Sequence, residues 1–111
     1  MDFKEYGNKA LRTAGMYSCK INQLINGVMG LNGEAGEVAD IVKKNRFQGH
    51  GLDKNHIAKE LGDVCWYIAL LAYSIDYDLE TIMQMNVDKL KKRYPEGFEK
   101  ERSLNRESED K

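Results

Sequence analysis

The stretch from Lys20 to Asn45, KINQLINGVMGLNGEAGEVADIVKKN, decides the fold class of this chain. Its apolar residues recur at alternating steps of three and four, the stripe of a helix that packs lengthwise on a partner helix. The stripe keeps its phase through four glycines, each costing about 1 kcal/mol relative to alanine in a helix interior. We therefore predict one long helix, whose glycines permit close approach of a neighbour. The stripe consists of Leu24, Val28, Leu31, Ala35, Val38 and Val42.

Three further helices are predicted along the chain. The first covers about Phe3 to Ala14. The third begins after Asp53, whose side chain can accept hydrogen bonds from the first free amides of a helix, and it continues to Asp76-Tyr77-Asp78. The fourth begins after Asp78 and ends before Pro95, which pushes the preceding residue out of helical geometry. The sequence thus predicts an all-α helical bundle of about four helices. A chain of 111 residues buries a modest core, which oligomerisation would complete.

One domain is expected over residues 1–98, followed by a tail over residues 99–111 that is expected to be disordered. In that tail nine of thirteen residues are charged, which leaves few apolar groups to hold it in place. The whole chain has 17 basic and 18 acidic residues, a net charge of −1. That balance argues against nucleic acid or an anionic membrane as a partner.

The cellular location is expected to be cytoplasmic. The N-terminal sequence has no apolar run of the kind that forms a secretory signal. Only two cysteines occur, and their spacing suits neither a disulfide framework nor a zinc site.

Two acidic pairs at helical spacing are the chemically informative residues. Glu34 and Glu37 lie three apart in the second predicted helix, and Glu60 and Asp63 lie three apart in the third. Residues at this spacing are neighbours on a helix surface, and both pairs lie beside the apolar stripe of their helix. If the two helices pack antiparallel, as their short connection suggests, four carboxylates meet at the edge of the seam. An all-oxygen set of this kind suits Mg²⁺ or Mn²⁺ rather than zinc.

A solvated acidic face that pairs with lysines is the usual explanation of a single pair of this kind. Two pairs beside apolar seams on adjacent helices favour a metal site instead. A ferritin-like di-iron bundle would need Glu-x-x-His repeats. Neither His50 nor His56 stands three residues after a glutamate, so that alternative fails.

A second group, Asn86, Lys89 and Arg93, lies on the fourth predicted helix. Lys89 and Arg93 are one turn apart and face the same way. The planar guanidinium suits phosphate oxygens, and the lysine adds a point charge. A polyphosphate site requires both a metal held by carboxylates and a basic pair nearby. The alternative is a basic last turn that complements the helix dipole.

Three aromatic residues are candidates to stack on a nucleotide base. Trp66 and Tyr67 follow Asp63 by three and four residues, and Phe47 is expected in the loop after the second helix. Aromatic residues on a helix more often belong to the core, which is the structural alternative for Trp66 and Tyr67.

These motifs together resemble the MazG-like all-α nucleotide pyrophosphohydrolases. The resemblance rests on the stretches Gly33-Glu34-Ala35-Gly36-Glu37-Val38, Lys59-Glu60-Leu61-Gly62-Asp63-Val64 and Asn86-x-x-Lys89-Leu90-x-x-Arg93-Tyr94-Pro95. It runs over roughly residues 3–98. Many relatives carry a further acid where this chain has Gly33, so the number of bound metals stays open.

The resemblance implies Mg²⁺-dependent cleavage of a nucleoside triphosphate between its α and β phosphates, which gives the monophosphate and pyrophosphate. House-cleaning of non-standard nucleotides is the expected role of this activity. It implies homodimers or homotetramers with active sites near the interface. Two alternatives stay open: a phosphoribosyl-ATP pyrophosphohydrolase, and a non-catalytic helical oligomer that binds nucleotide or metal. The resemblance assigns metal binding and catalysis to Glu34, Glu37, Glu60 and Asp63, and substrate binding to Asn86, Lys89, Arg93 and Tyr94.

Overall fold

A computed structural model describes residues 1–17 and 19–106 of the chain. Over these residues the chain forms five helices and no β-strand. The predicted all-α fold is therefore confirmed. None of the helices in the described part combines the length and the apolar character needed to cross a bilayer. The helices are α1 (Phe3–Leu11), α2 (Lys20–Phe47), α3 (Lys54–Ser74), α4 (Leu79–Arg93) and α5 (Lys100–Leu104).

Helix α2 is continuous through all of its glycines, as the apolar stripe predicted, and it ends at Phe47 rather than at Asn45. At its end the backbone amides of Gln48 and His50 both donate to the Lys44 carbonyl oxygen, at 3.0 and 3.2 Å. Between them Gly49 has a φ of 73°, the left-handed conformation with which many helices end and which favours glycine. The start of the loop to α3 is therefore held close to the last turn of α2.

Helices α2 and α3 pack antiparallel, and their contacts follow one another along both helices. A Cβ atom at Gly27 would lie 2.8 Å from Leu71 Cδ2, and a Cβ atom at Gly30 would overlap the Tyr67 ring. Near the start of α2, the Ser74 hydroxyl donates to the side-chain oxygen of Gln23 at 3.1 Å. The glycines that propensity alone would place in a loop are thus the positions where the two helices come closest.

Helix α1 packs on α3 through Trp66. The indole N–H of Trp66 donates to the Ala10 carbonyl oxygen at 2.9 Å and to Thr13 Oγ1 at 2.7 Å. The predicted end of α1 at Ala14 was wrong: the helix ends at Leu11, and the Thr13 hydroxyl turns back to the Ala10 carbonyl at 2.9 Å. The buried apolar residues are Ala10, Ala69, Leu70, Ala72 and Leu79.

The two ends of α3 follow the sequence prediction. At the N-terminus the Asp53 carboxylate accepts from the His56 backbone amide at 3.0 Å, which confirms the predicted cap. At the C-terminus the helix ends at Ser74, and Asp76 adopts a φ of 63°. Aspartate tolerates this left-handed conformation better than most residues, which explains why the chain turns here.

Two compact units divide the chain, Met1–Leu79 and Glu80–Lys111, and each is described by itself. In the second unit α4 ends at Arg93, as Pro95 predicted. The Tyr94 ring lies against Phe98, with 5.2 Å between ring centroids. Part of the tail that was expected to be disordered, Lys100–Leu104, forms a short helix. The expectation for residues 107–111 lies outside the described residues.

Candidate metal centre

Three of the four predicted acidic ligands meet where α2 faces α3. One carboxylate oxygen from each of Glu34, Glu60 and Asp63 lies within 4.8 Å of the other two. Glu34 comes from α2 and the other two come from α3, so the antiparallel packing of these helices creates the group. Glu34 and Glu60 are half-buried and Asp63 is exposed. We call these three residues the acidic group.

The electrostatics of the acidic group are visible at Glu34, whose pKa is raised from 4.5 to about 7. The largest cause is a side-chain hydrogen bond with Glu60. Desolvation and the negative charges of Glu60, Asp63 and Glu37 raise it further. Carboxylates this close retain a proton between them unless a cation takes its place. The donor set and its charge therefore fit a divalent cation.

Glu37, the fourth predicted ligand, lies outside the acidic group and is exposed. It is one turn along α2 from Glu34, and its charge contributes to the raised pKa of Glu34. The structure therefore places Glu37 beside the other three acids rather than among them.

Glu60 has a second partner, His56, which the sequence analysis missed. His56 Nε2 lies 3.2 Å from Glu60 Oε1, and the Glu60 side chain is 16% exposed against 50% for His56. The two residues are four apart on α3 and are therefore neighbours on its surface. The sequence carries this signal, a histidine four residues before a glutamate, which differs from the Glu-x-x-His order of a di-iron site.

A cavity of about 420 Å³ lies beside the acidic group, between the end of α2 and the start of α3. Glu37 and His56 belong to its wall, and His56 links the cavity to the acidic group through its contact with Glu60. Inside it Lys44 forms an ion pair with Asp40 at 2.8 Å, which lowers the pKa of that carboxyl group. No sequence motif indicated this cavity. Its lining residues are Glu37, Asp40, Ile41, Lys44, His50, Gly51, Asp53 and His56.

The three aromatic candidates differ in their surroundings. The indole N–H of Trp66 donates to α1. The Trp66 and Tyr67 rings pack edge to face, with 4.9 Å between their centroids and an angle of 86° between their planes. Tyr67 in turn packs on Gly30. Phe47 is the last residue of α2 rather than a loop residue, and it is 78% exposed. Trp66 and Tyr67 therefore have packing roles, and stacking of any of the three on a base stays a prediction.

A further residue near the acidic group, Tyr6, comes from α1. Burial raises the pKa of its hydroxyl, and the charges of Cys65 and Asp63 raise it further. The sequence carried no signal for Tyr6, because its position depends on how α1 docks on α3.

The predicted phosphate-binding residues lie in the second unit. Asn86 and Lys89 are exposed on α4, and Arg93 is its last residue, one turn beyond Lys89. The Arg93 guanidinium carbon is 5.9 Å from the centroid of the Tyr94 ring. A hydrogen bond from Ser103 lowers the pKa of the Tyr94 hydroxyl, and Arg106 adds to that effect. The role of these four residues toward substrate stays a prediction.

The fold and the acidic group define an all-α protein with a carboxylate site suited to a divalent cation. The family model described as the MazG nucleotide pyrophosphohydrolase domain matches residues 25–98, a range that includes both acidic pairs and the basic part of α4. This chain belongs to the MazG nucleotide pyrophosphohydrolase family.

Among curated proteins, the chain is similar to "Gene 37 protein" of Mycobacterium phage L5, with 44% identity over 73 residues. The similar region covers 62% of this chain and 64% of the phage protein, so the chain spans just under two thirds of that relative. No solved structure matches the chain.

Proposed function

We propose that this protein is a Mg²⁺-dependent pyrophosphohydrolase that converts a nucleoside triphosphate to the monophosphate and pyrophosphate. The observation that carries the proposal is the convergence of Glu34, Glu60 and Asp63 from two helices, in a chain of the MazG family. Oxygen donors favour a hard cation, which supports Mg²⁺ first and Mn²⁺ second.

Glu37 is proposed as the fourth ligand. Its exposed side chain follows Glu34 by one helical turn, so a change of rotamer suffices to turn it toward the other three carboxylates. Its negative charge already acts on Glu34, which supports its inclusion. Active-site contacts are often long in a ligand-free protein and shorten when the substrate complex forms.

The acidic group would act from fixed positions on two packed helices. A bound cation would neutralise phosphate charge and activate the attacking water. The carboxylates of Glu34, Glu60 and Asp63 would hold the cation at one point of the α2–α3 seam, where the contact of Tyr67 with Gly30 prevents the helices from moving closer. One glutamate carboxylate of the set would accept the proton that the water loses.

The proposal for the substrate contacts rests on charge. We propose that Lys89 and Arg93 bind phosphate oxygens, with Asn86 and Tyr94 beside them, because two cations one turn apart on α4 match the charge of a triphosphate. Phe47, at the end of α2, is the most exposed of the three aromatic candidates, and we propose it as the residue that stacks on a base. Trp66 and Tyr67, which also pack α3 on α1 and α2, stay candidates for the same contact.

A homo-oligomer, a dimer or a tetramer, is proposed as the working form. Large apolar side chains remain exposed along the first half of α2, with 58% of Ile21, 53% of Val28 and 71% of Met29 accessible. A contiguous apolar surface of this kind usually marks an interaction site. Burial against a second copy would complete a core that contains few fully buried residues in a single chain.

The deciding experiment is a pyrophosphate-release assay over common and modified nucleoside triphosphates, with phosphoribosyl-ATP included. We expect turnover of at least one triphosphate with Mg²⁺ and its loss in Glu60→Gln. The control Glu80→Gln removes an acid of the first turn of α4 and should retain activity. Turnover of phosphoribosyl-ATP alone would favour the histidine-synthesis activity. Tight nucleotide binding without any product, measured by calorimetry, would favour a non-catalytic binding protein.

A further inference from the structure

We propose that His56 is a positioning residue for Glu60, whose carboxylate it holds turned toward Glu34 and Asp63. This inference rests on the proposed metal site and adds to it a residue that does not itself bind the cation.

Glu60 lies between two partners. On one side His56 Nε2 is 3.2 Å from Glu60 Oε1, and on the other side the Glu60 carboxyl group shares a hydrogen bond with Glu34. An ionised carboxylate can only accept hydrogen bonds, so the contact holds an ionised Glu60 in the tautomer of His56 whose Nε2 carries the hydrogen. The imidazole thus holds one side of the carboxylate and leaves the rest of it directed at the acidic group.

His56 is itself held in place. Its backbone amide donates to the Asp53 carboxylate at 3.0 Å in the first turn of α3, which fixes where the side chain leaves the helix. The ring then lies on the wall of the 420 Å³ cavity, between the solvent in the cavity and Glu60. Without the ring, the Glu60 side chain could rotate toward the cavity, away from Asp63. His56 therefore restricts Glu60 to rotamers that serve the acidic group.

The size of the effect follows from what such contacts do elsewhere. Partners that orient a metal ligand from outside are typically worth about 10–100-fold in metal affinity or activity. Half of the His56 side chain is exposed, so its hydrogen bond competes with water. The expected effect is therefore at the lower end of that range.

The test measures binding of Mn²⁺ and Mg²⁺ to the full chain by calorimetry, with no nucleotide present. We expect His56→Leu to weaken binding by about tenfold, and His56→Gln, whose amide can still donate to Glu60, to stay within about threefold of the parent. His56→Asn, whose amide is too short to reach Glu60, should behave as His56→Leu does. The matched control is His50→Leu, which removes an imidazole from the same cavity and should leave affinity unchanged.

A kinetic measurement separates positioning from general damage. The Mg²⁺ concentration for half-maximal turnover should rise in His56→Leu, while kcat at saturating Mg²⁺ falls much less. Thermal melting of the metal-free variants checks folding. If His56→Leu does not fold, the comparison of His56→Gln with His56→Asn decides in its place.

The outcomes for His56 and for the metal site can be told apart through Glu60→Gln. If that variant loses metal binding while His56→Leu and His56→Asn bind as the parent does, the positioning role is wrong and the metal site stands. If Glu60→Gln binds metal as the parent does, the metal site itself is wrong, and the role of His56 is overturned with it.

Discussion

Glu34 on α2 and Glu60 on α3 share a side-chain hydrogen bond, and this contact is the largest cause of the raised pKa, about 7, of the Glu34 carboxyl group. Two carboxyl groups can form such a bond only when one of them carries a proton. A cation that binds the same oxygens must displace that proton. Proton and metal would therefore compete at the α2–α3 seam near neutral pH.

Metal affinity is expected to depend on pH. Because Glu34 must lose its proton before it binds a cation, Mg²⁺ affinity should rise by about fivefold from pH 6 to pH 7 and by about tenfold from pH 6 to pH 8, and level off above pH 8. Calorimetry in buffers of different ionisation enthalpy would also detect the released proton. Glu34→Gln should bind more weakly at every pH and lose the dependence. An affinity of the parent protein that is flat from pH 6 to pH 8 would contradict this expectation.

Stability of the metal-free protein is expected to show the opposite trend. The folded-state pKa of Glu34 lies above its ordinary value of 4.5, so the folded state binds more protons than the unfolded state between pH 4.5 and 7. The stabilisation from this group is complete below pH 4.5 and is lost as pH rises through 7. Melting temperatures of parent and Glu34→Gln, measured in EDTA, should diverge with pH over this range. Parallel curves would show that Glu34 does not titrate near 7.

Two glycines of α2 should respond in opposite ways to the same substitution. A Cβ atom at Gly30 overlaps the Tyr67 ring, so Gly30→Ala should cost about 1–3 kcal/mol of unfolding free energy through overpacking. Around Gly36 nothing lies within 4 Å of the added atom, so Gly36→Ala should gain about 0.5–1 kcal/mol from helix propensity. Urea unfolding followed by circular dichroism measures both. Equal effects at the two positions would refute the close packing of α2 on α3 at Gly30.

Because Trp66 donates two hydrogen bonds, a substitution at Trp66 should lower the free energy of unfolding, whereas a substitution at Phe47 should not. Trp66→Phe keeps an aromatic ring but removes the N–H that binds Ala10 and Thr13, and it should cost about 1–2 kcal/mol. Phe47→Ala changes a side chain that is 78% exposed and should stay within about 0.5 kcal/mol of the parent. In the activity assay we expect the larger effect from Phe47→Ala, which should raise the KM for the nucleotide more than Trp66→Phe does. An unchanged KM would remove Phe47 from the proposed base contact.

Gly33 offers a gain-of-affinity test. A Cβ atom there meets nothing within 4 Å, so the backbone has room for a side chain, and Gly33→Glu would add a further carboxylate next to Glu34. About 1 kcal/mol of added attraction to a cation near the surface corresponds to roughly fivefold tighter Mg²⁺ binding. Gly33→Gln, of equal size and without the charge, is the control. Equal affinities in the two variants would place position 33 out of reach of the cation.

Features that repeat along the helices could be predicted from the sequence. The apolar stripe of α2 has the same period on both sides of the glycines, which predicted one continuous helix. The Asp53 cap predicted the start of α3, and Pro95 predicted the end of α4. The spacing of the acidic pairs placed Glu34, Glu60 and Asp63 on facing sides of adjacent helices, and the structure brings these three together.

Features that depend on contacts between distant parts of the chain could not be predicted. The end of α1 at Leu11 follows from a turn that Trp66 binds, 56 residues from Ala10, and no local pattern records that contact. The position of Tyr6 near Asp63 depends on the same docking. Phe47 was expected in the loop because the apolar period does not record where a helix ends. Here the end depends on backbone hydrogen bonds to the Lys44 carbonyl oxygen and on the left-handed conformation of Gly49.

The close contact of Gly30 with Tyr67 has a consequence for ion selectivity. Glu34 lies one turn from Gly30 on α2, and Asp63 lies one turn from Tyr67 on α3. The distance between the helices at Gly30 and Tyr67 therefore determines the distance between the carboxylates of Glu34 and Asp63. A wider seam should accommodate Ca²⁺, whose bonds to oxygen are longer than those of Mg²⁺. The ratio of Ca²⁺ to Mg²⁺ affinity in Gly30→Ala would reveal whether a residue with no side chain tunes the size of ion that this protein accepts.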